Sequence, residues 1–169
     1  MKNLVFILLL SLLGCNKKIQ TYPPVGGVVS EKDLGVSKER SKNLNQIERE
    51  QIQEWIVTQN VKYYPTSLNY WVDVADFNKR ARKPNETVVS YEYVLYDFDQ
   101  TKIYNQPLGK TDVRLGHFDE LKAVEDALRY AKPNEEISLL VPSALAYGTY
   151  GDEKKIGNDI PLIIKLKVY

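Results

Sequence analysis

The side chains that most often carry chemistry are scarce in this chain. It has one histidine, His117, and one cysteine, Cys15. A lone histidine, with no cysteine beside it and no second histidine, offers neither a nucleophile–base pair nor a metal-binding set. His117 follows Gly116 at a turn and reads as a solvated loop residue. The carboxylates are spread through turns and helix faces, and no glycine pattern of the Walker or Rossmann kind occurs. An enzyme on this chain has to work without acid, base, nucleophile or metal. It must instead shape a cleft around its substrate and aim fixed donors at it. Twelve tyrosines and four phenylalanines suit an aromatic cleft and lean toward β structure.

The elements that would hold such a cleft lie in the C-terminal two thirds. Thr87 to Tyr96 is the most aromatic strand, Asp97-Phe98-Asp99-Gln100 is a turn, and Thr101 to Tyr104 pairs back as a hairpin arm. Asn105 to Thr111 reads as a loop and Asp112 to Leu115 as a short strand. Asp119 to Ala131 predicts a helix with Leu121, Val124 and Leu128 on one face; its first amides have no partner inside the helix. Ile137 to Val141 is a short strand that stops at Pro142. Ser143 to Tyr147 allows one helical turn, Gly148 a permissive backbone, and Gly151 to Asp159 a polar loop. From Leu162 to Val168 apolar residues alternate with Lys165 and Lys167, as in a half-buried antiparallel strand. Lys83-Pro84-Asn85-Glu86 and Lys132-Pro133-Asn134-Glu135 read as two similar turns entering strands, with asparagine taking the left-handed position.

Pro142-Ser-Ala-Leu-Ala-Tyr-Gly148, a gap, Gly151, Ile156 and the closing alternating strand together resemble the C-terminal half of the FKBP-type prolyl isomerases. The resemblance runs from about Tyr70 to Tyr169. Within it, Tyr147-Gly-x-x-Gly-Asp-x-x-Lys-Ile-Gly-x-x-x-Pro161 looks like the FKBP-like lipoproteins associated with bacterial gliding motility. It implies an α+β fold: a bent antiparallel sheet wrapped on helix 119–131. It also implies rotation about X–Pro amides, a reaction with a barrier of roughly 18–20 kcal/mol set by amide resonance, which an apolar pocket with one or two donors can lower and which needs no cofactor. By the same resemblance Tyr147 is the hydroxyl that reaches a substrate carbonyl, and the Leu121 backbone N–H is the second donor. Tyr91 is a wall aromatic, Ile156 an aliphatic contact in the last loop, and Ile103, Val124 and Ile164 complete the substrate-binding surface. The chain departs from the family pattern at several of these positions. Val124 stands where a tryptophan usually forms the floor, Ile164 where the closing strand carries an aromatic, Ile103-Tyr104 where Phe-Asp is usual, and Glu120 where a small apolar residue precedes Leu121. Tyr93, Tyr104 and Phe118 are available to refill the space.

The N-terminal third has a different character. Leu4 to Leu13 is almost wholly apolar and, at about ten residues, too short to span a bilayer. It suits the core of a signal peptide over residues 1–14. Leu12-Leu13-Gly14-Cys15 resembles a bacterial lipobox, with Cys15 as the lipidated residue; an ordinary secretory signal followed by a chance cysteine is the alternative. With no second cysteine, a disulfide framework is impossible. Residues 15–37 hold Pro23-Pro24, Gly26-Gly27 and Gly35 and read as a tether. Residues 38–60 read as a helix with Leu44, Ile47, Ile52, Trp55 and Ile56 as its apolar face, either packed on the domain 61–169 or free to dimerise or dock a partner. Formal charge is +1, from 23 basic and 22 acidic residues, with no block that suggests nucleic acid.

The functional expectation is a membrane-anchored prolyl isomerase or folding factor. It would be periplasmic and tied to the envelope through Cys15, at the outer rather than the inner membrane. Its clients would be proline-containing exported polypeptides, including envelope motility or secretion proteins. A non-catalytic chaperone or binding module, or a structural part of a motility complex, are the alternatives.

Overall fold

The computed structural model describes residues 31–169; Cys15, the signal segment and most of the expected tether lie outside them. The chain divides into two compact units, residues 1–36 and 37–169. The described part of the first is helical and exposed; everything below concerns the second.

Six strands form one antiparallel sheet: β1 (Tyr64–Pro65), β2 (Trp71–Val72), β3 (Val88–Tyr96), β4 (Leu108–Arg114), β5 (Glu136–Val141) and β6 (Leu162–Val168), in the order β1-β2-β5-β6-β3-β4. Two helices accompany it, α1 (Glu31–Val57) and α2 (Lys122–Tyr130). The strand alternation decides which side chains meet which helix. From β3, Val89, Tyr91, Tyr93 and Leu95 point to the face that carries α2, joined by Ile137, Leu139 and Val141 of β5 and by Leu162, Ile164, Leu166 and Val168 of β6. The helix contributes Ala123, Val124, Ala127 and Leu128, all buried; its alanines let the axis approach the sheet closely. The opposite face buries Trp71, Leu140 and Ile163 with Ile52 of α1, and Trp55, Ile56, Tyr63, Tyr96 and Phe98 close around them. Two cores therefore share one sheet.

The helix 38–60 of the sequence reading begins earlier, at Glu31, so residues 31–37, expected in the tether, are helical. Leu44, Ile52, Trp55 and Ile56 lie on its covered face as expected. Ile47 does not: it is 51% exposed, whereas Glu48, a residue of the expected polar face, is 2% exposed. Both Glu48 carboxylate oxygens accept from Ser143, its N–H at 2.7 Å and its hydroxyl at 2.6 Å, and that pairing keeps Glu48 on the covered face between Leu44 and Ile52.

Residues 105–111, expected as a loop, lie mostly in strand β4, and the hairpin arm 101–104 reduces to one bridge between Tyr96 and Lys102. Gly109 lies within this strand. It stands opposite Glu92, and a Cβ there would lie 2.2 Å from the Tyr91 carbonyl oxygen, so this glycine marks close backbone approach beside a bulge, not a turn. The two Lys-Pro-Asn-Glu turns also part ways. Asn134 takes the left-handed conformation as expected, but in the first copy Glu86 takes it instead of Asn85. Exposed Glu86 then meets Arg114 and His117, so His117 is exposed, as expected, but paired.

Candidate active site

The site is built where the N-terminus of α2, strand β3 and the loop from Pro142 to Asp159 converge. Leu121, the residue before α2, is extended (φ −56°, ψ 132°). The helix therefore starts at Lys122 and not at Asp119 as expected, and the Leu121 amide has no partner within it. Tyr91 and Tyr93, two apart on one strand, stand side by side with ring centroids 6.3 Å apart and planes 7° apart. Phe118 leans on Tyr91 at 6.0 Å.

The loop is held by its own carboxylate. Asp152 Oδ1 accepts from the amides of Lys154, Lys155 and Ile156 at 3.0, 3.0 and 2.8 Å, and Tyr104 donates its hydroxyl to Oδ2. Burial works against the Asp152 charge, but Tyr104 and these amides outweigh it and hold the carboxyl below its usual range. Gly151 has φ +67°, and a Cβ there would fall 2.1 Å from the Ile156 carbonyl oxygen, so the turn admits only glycine. Lys155 extends to the Ile103 carbonyl at 2.9 Å, and the Ile103 amide donates to Leu95 at 3.0 Å. These bonds close the segment 101–104 against the loop.

The seven residues expected at the site fall in one apolar cluster, at two depths. Tyr147, Leu121 and Ile103 are half-buried at its surface, together with Tyr104, Phe118 and Ala146. Tyr91 and Ile156 are almost wholly covered, and Val124 and Ile164 are fully buried. Val124 and Ile164, expected in the substrate-binding surface, have no exposed surface and lie beneath the half-buried residues of the cluster. Aliphatic side chains at these two places are too short to reach the surface, and the tyrosines of β3 fill the core around them.

Two residues seen only as a possible filler and a departure hold the site together. Glu120 Oε2 accepts from the Tyr91 hydroxyl at 2.6 Å; Oε1 accepts from the Tyr93 hydroxyl at 2.8 Å and from the Leu121 N–H at 2.9 Å. The Tyr91 and Tyr93 hydroxyls and the Leu121 amide thus meet on one carboxylate, and Tyr147 lies near enough to Tyr93 and Glu120 to feel them. Burial first, then the Glu120 charge and its hydrogen bonds, push the Tyr91 and Tyr93 hydroxyls well above the usual range. Burial, followed by the charges of Asp152 and Glu120, raises Tyr147 likewise. All three are neutral donors at neutral pH. Glu120 is thus the carboxylate that the tyrosines of β3 and the Leu121 amide share. The two-residue spacing of Tyr91 and Tyr93 was the available signal for a shared face, but nothing local tied either ring to a glutamate 27 or more positions away.

Chemically, an apolar cluster with a half-buried tyrosine hydroxyl and a helix-start amide at its surface has the parts needed to hold a carbonyl and favour an amide twisted out of conjugation.

Two solved structures share the fold. The crystal structure of FkpA from Escherichia coli matches with a TM-score of 0.54 at 16% identity, over 83% of this chain and 72% of that one. The N-terminal domain of FKBP42 from Arabidopsis thaliana matches with a TM-score of 0.51 at 16% identity, over 66% of this chain and 92% of that one. No curated protein sequence matches. The model of the family described as FKBP-type peptidyl-prolyl cis-trans isomerase matches residues 79–169, the segment that holds β3 to β6, α2 and all seven residues expected at the site. With more than half of its length matched, the chain belongs to the FKBP-type peptidyl-prolyl cis-trans isomerase family.

Proposed function

We propose that this isomerase is a lipid-anchored folding factor of the bacterial envelope, tethered through Cys15 and acting on proline-containing segments of exported proteins. Tyr147 and the Leu121 amide hold the carbonyl of the twisting X–Pro bond. Tyr91, Ile103 and Ile156 form the wall, with Val124 and Ile164 behind them. The observation that carries the catalytic assignment is the meeting of Tyr147, the Leu121 amide and the stacked tyrosines in one apolar cluster whose surface is half-buried, the cup that would take the peptide. The envelope location rests on the sequence: an apolar segment of about ten residues ending in Leu13-Gly14-Cys15. The likeness of Tyr147 to Pro161 to the gliding-motility lipoproteins favours clients in motility or secretion machinery.

A protease-coupled isomerase assay on a proline tetrapeptide tests the reaction, and detergent partitioning of Cys15→Ser tests the anchor. Turnover above the uncatalysed rate supports the first; loss of membrane association or of processing supports the second. One observation favours a second reading, a binding module without turnover: the Leu121 amide already has an acceptor in Glu120. Micromolar peptide binding with uncatalysed isomerisation rates would decide for that reading.

A further inference from the structure

Three donors of different origin meet at Glu120. Two are side-chain hydroxyls from β3, Tyr91 and Tyr93, and one is the backbone amide that opens α2. The acceptor is unusual for a helix start. A capping side chain normally sits on the N-cap residue and takes an amide two or three positions on. Here the N-cap residue is Leu121, which makes no side-chain cap, and the carboxylate comes from the residue just before it.

Donors gathered around one point in an apolar cup form an acceptor site. A carboxylate has about four lone-pair positions, so three donors nearly saturate it, whereas a peptide carbonyl has two. Bonds to an ionised acceptor are also roughly twice as strong as those to a neutral one. A peptide carbonyl therefore competes at a disadvantage for the place that Glu120 holds. Glu120 is only half-buried, so rotation of its side chain toward solvent is the natural way to vacate that place.

Building on the reading of this cup as the peptide site, we infer that Glu120 is an internal competitor for the peptide carbonyl. It occupies the Tyr91, Tyr93 and Leu121 donors in the free protein and must leave before a proline-containing peptide can use them. Glu120 thereby sets the affinity of the site and favours peptides that compensate its displaced charge with a lysine or arginine beside the proline.

The test is titration of the full chain and its Glu120→Ala and Glu120→Gln variants with Ala-Leu-Pro-Phe and Ala-Lys-Pro-Phe. The Leu121 amide resonance is followed by NMR, with Tm as a folding control and isomerase turnover in parallel. Glu120→Ala should bind Ala-Leu-Pro-Phe on the order of tenfold more tightly than wild type, and Glu120→Gln should gain less, because it keeps a neutral acceptor. The wild type should prefer the lysine peptide, and both variants should lose that preference. In Glu120→Ala the peptide should shift the Leu121 amide. Unchanged or weaker peptide binding in both variants at near-wild-type Tm would overturn the inference. Should Glu120→Ala misfold, unchanged affinity and lysine preference in the isosteric Glu120→Gln would overturn it equally. Tighter binding without turnover in any form would uphold this inference and remove the isomerase reading. Wild-type turnover with no gain in either variant would do the reverse.

Discussion

The two faces of the sheet each hold a glutamate, and the two are used differently. Glu48 reaches from α1 on the outer face and is almost fully buried. Its two oxygens are taken by a single residue, Ser143, 95 positions away. The same face buries Trp71, Leu140, Ile163 and Ile52, with Trp55 donating its indole N–H to the Phe98 carbonyl at 2.8 Å. Glu120, on the inner face, is half-buried, and its donors come from a strand and from the start of a helix. A carboxylate sealed against one partner acts as a lock, because removing it leaves buried donors with nothing to replace it. A carboxylate at a rim, shared among several donors and next to solvent, can be exchanged for another acceptor. Burial, more than the number of hydrogen bonds, separates the two glutamates.

Substitutions on the two faces should bring out this contrast. Glu48→Ala strands the Ser143 amide and hydroxyl inside the protein and should lower unfolding stability by about 2–4 kcal/mol, read by denaturant titration. A loss below about 1 kcal/mol would mean that water takes over the role of the carboxylate and that the lock is no lock. On the inner face, Val124→Trp puts a large ring where there is no exposed surface at all. It should destabilise by roughly 1–3 kcal/mol through overpacking without raising turnover. Improved activity at unchanged stability would show that the cup retains an unfilled floor.

Tyr147→Phe removes one rim donor and no packing. It should lower kcat/KM about tenfold, or about 1.4 kcal/mol, while Tm stays within a few degrees. Equal losses of activity and stability would return Tyr147 to the core. The smallest effect belongs to neither face. Exposed Asp76 bonds Arg80 at 2.9 Å and Lys132 at 3.1 Å, and the Arg80 and Lys132 hydrogen bonds lower its pKa from 3.8 to about 2. A depressed carboxyl contributes stability above its unfolded value and loses it as pH falls through the folded one. The Tm difference between wild type and Asp76→Asn should accordingly be small and constant at neutral pH and should vanish between pH 3.8 and about 2. A difference that persists below that window would assign the effect to packing.

How much of this was legible beforehand follows from the range of each interaction. The closing strand was readable because its alternation is local: Leu162, Ile164, Leu166 and Val168 are buried where period two puts them. The helix before Ala131 was readable from its apolar spacing, but its first turn was not. The sequence cannot say that Leu121 is extended or that Glu120 turns inward to two tyrosines. β4 was read largely as a loop because Gly109 looks the same in a turn and in a strand under close approach. Ile47 looked like the buried residue of α1 because an apolar stripe is the only local guide, and the bond from Glu48 to Ser143 overrides it.

The sequence by itself determined the alternation of the strands, the apolar face of α2, the glycine and proline punctuation of the loop 142–161, and through that pattern the family. Those are properties of neighbours along the chain, fixed by backbone geometry and by which side chains water excludes. Only the tertiary structure decided which carboxylate is a lock and which sits at the site. It also decided that Val124 and Ile164 are fully buried and that Glu120 gathers the two tyrosine hydroxyls and the Leu121 amide. Each of these depends on donors and acceptors far apart in sequence, and a buried polar group takes whichever partner the folded chain brings within hydrogen-bond distance.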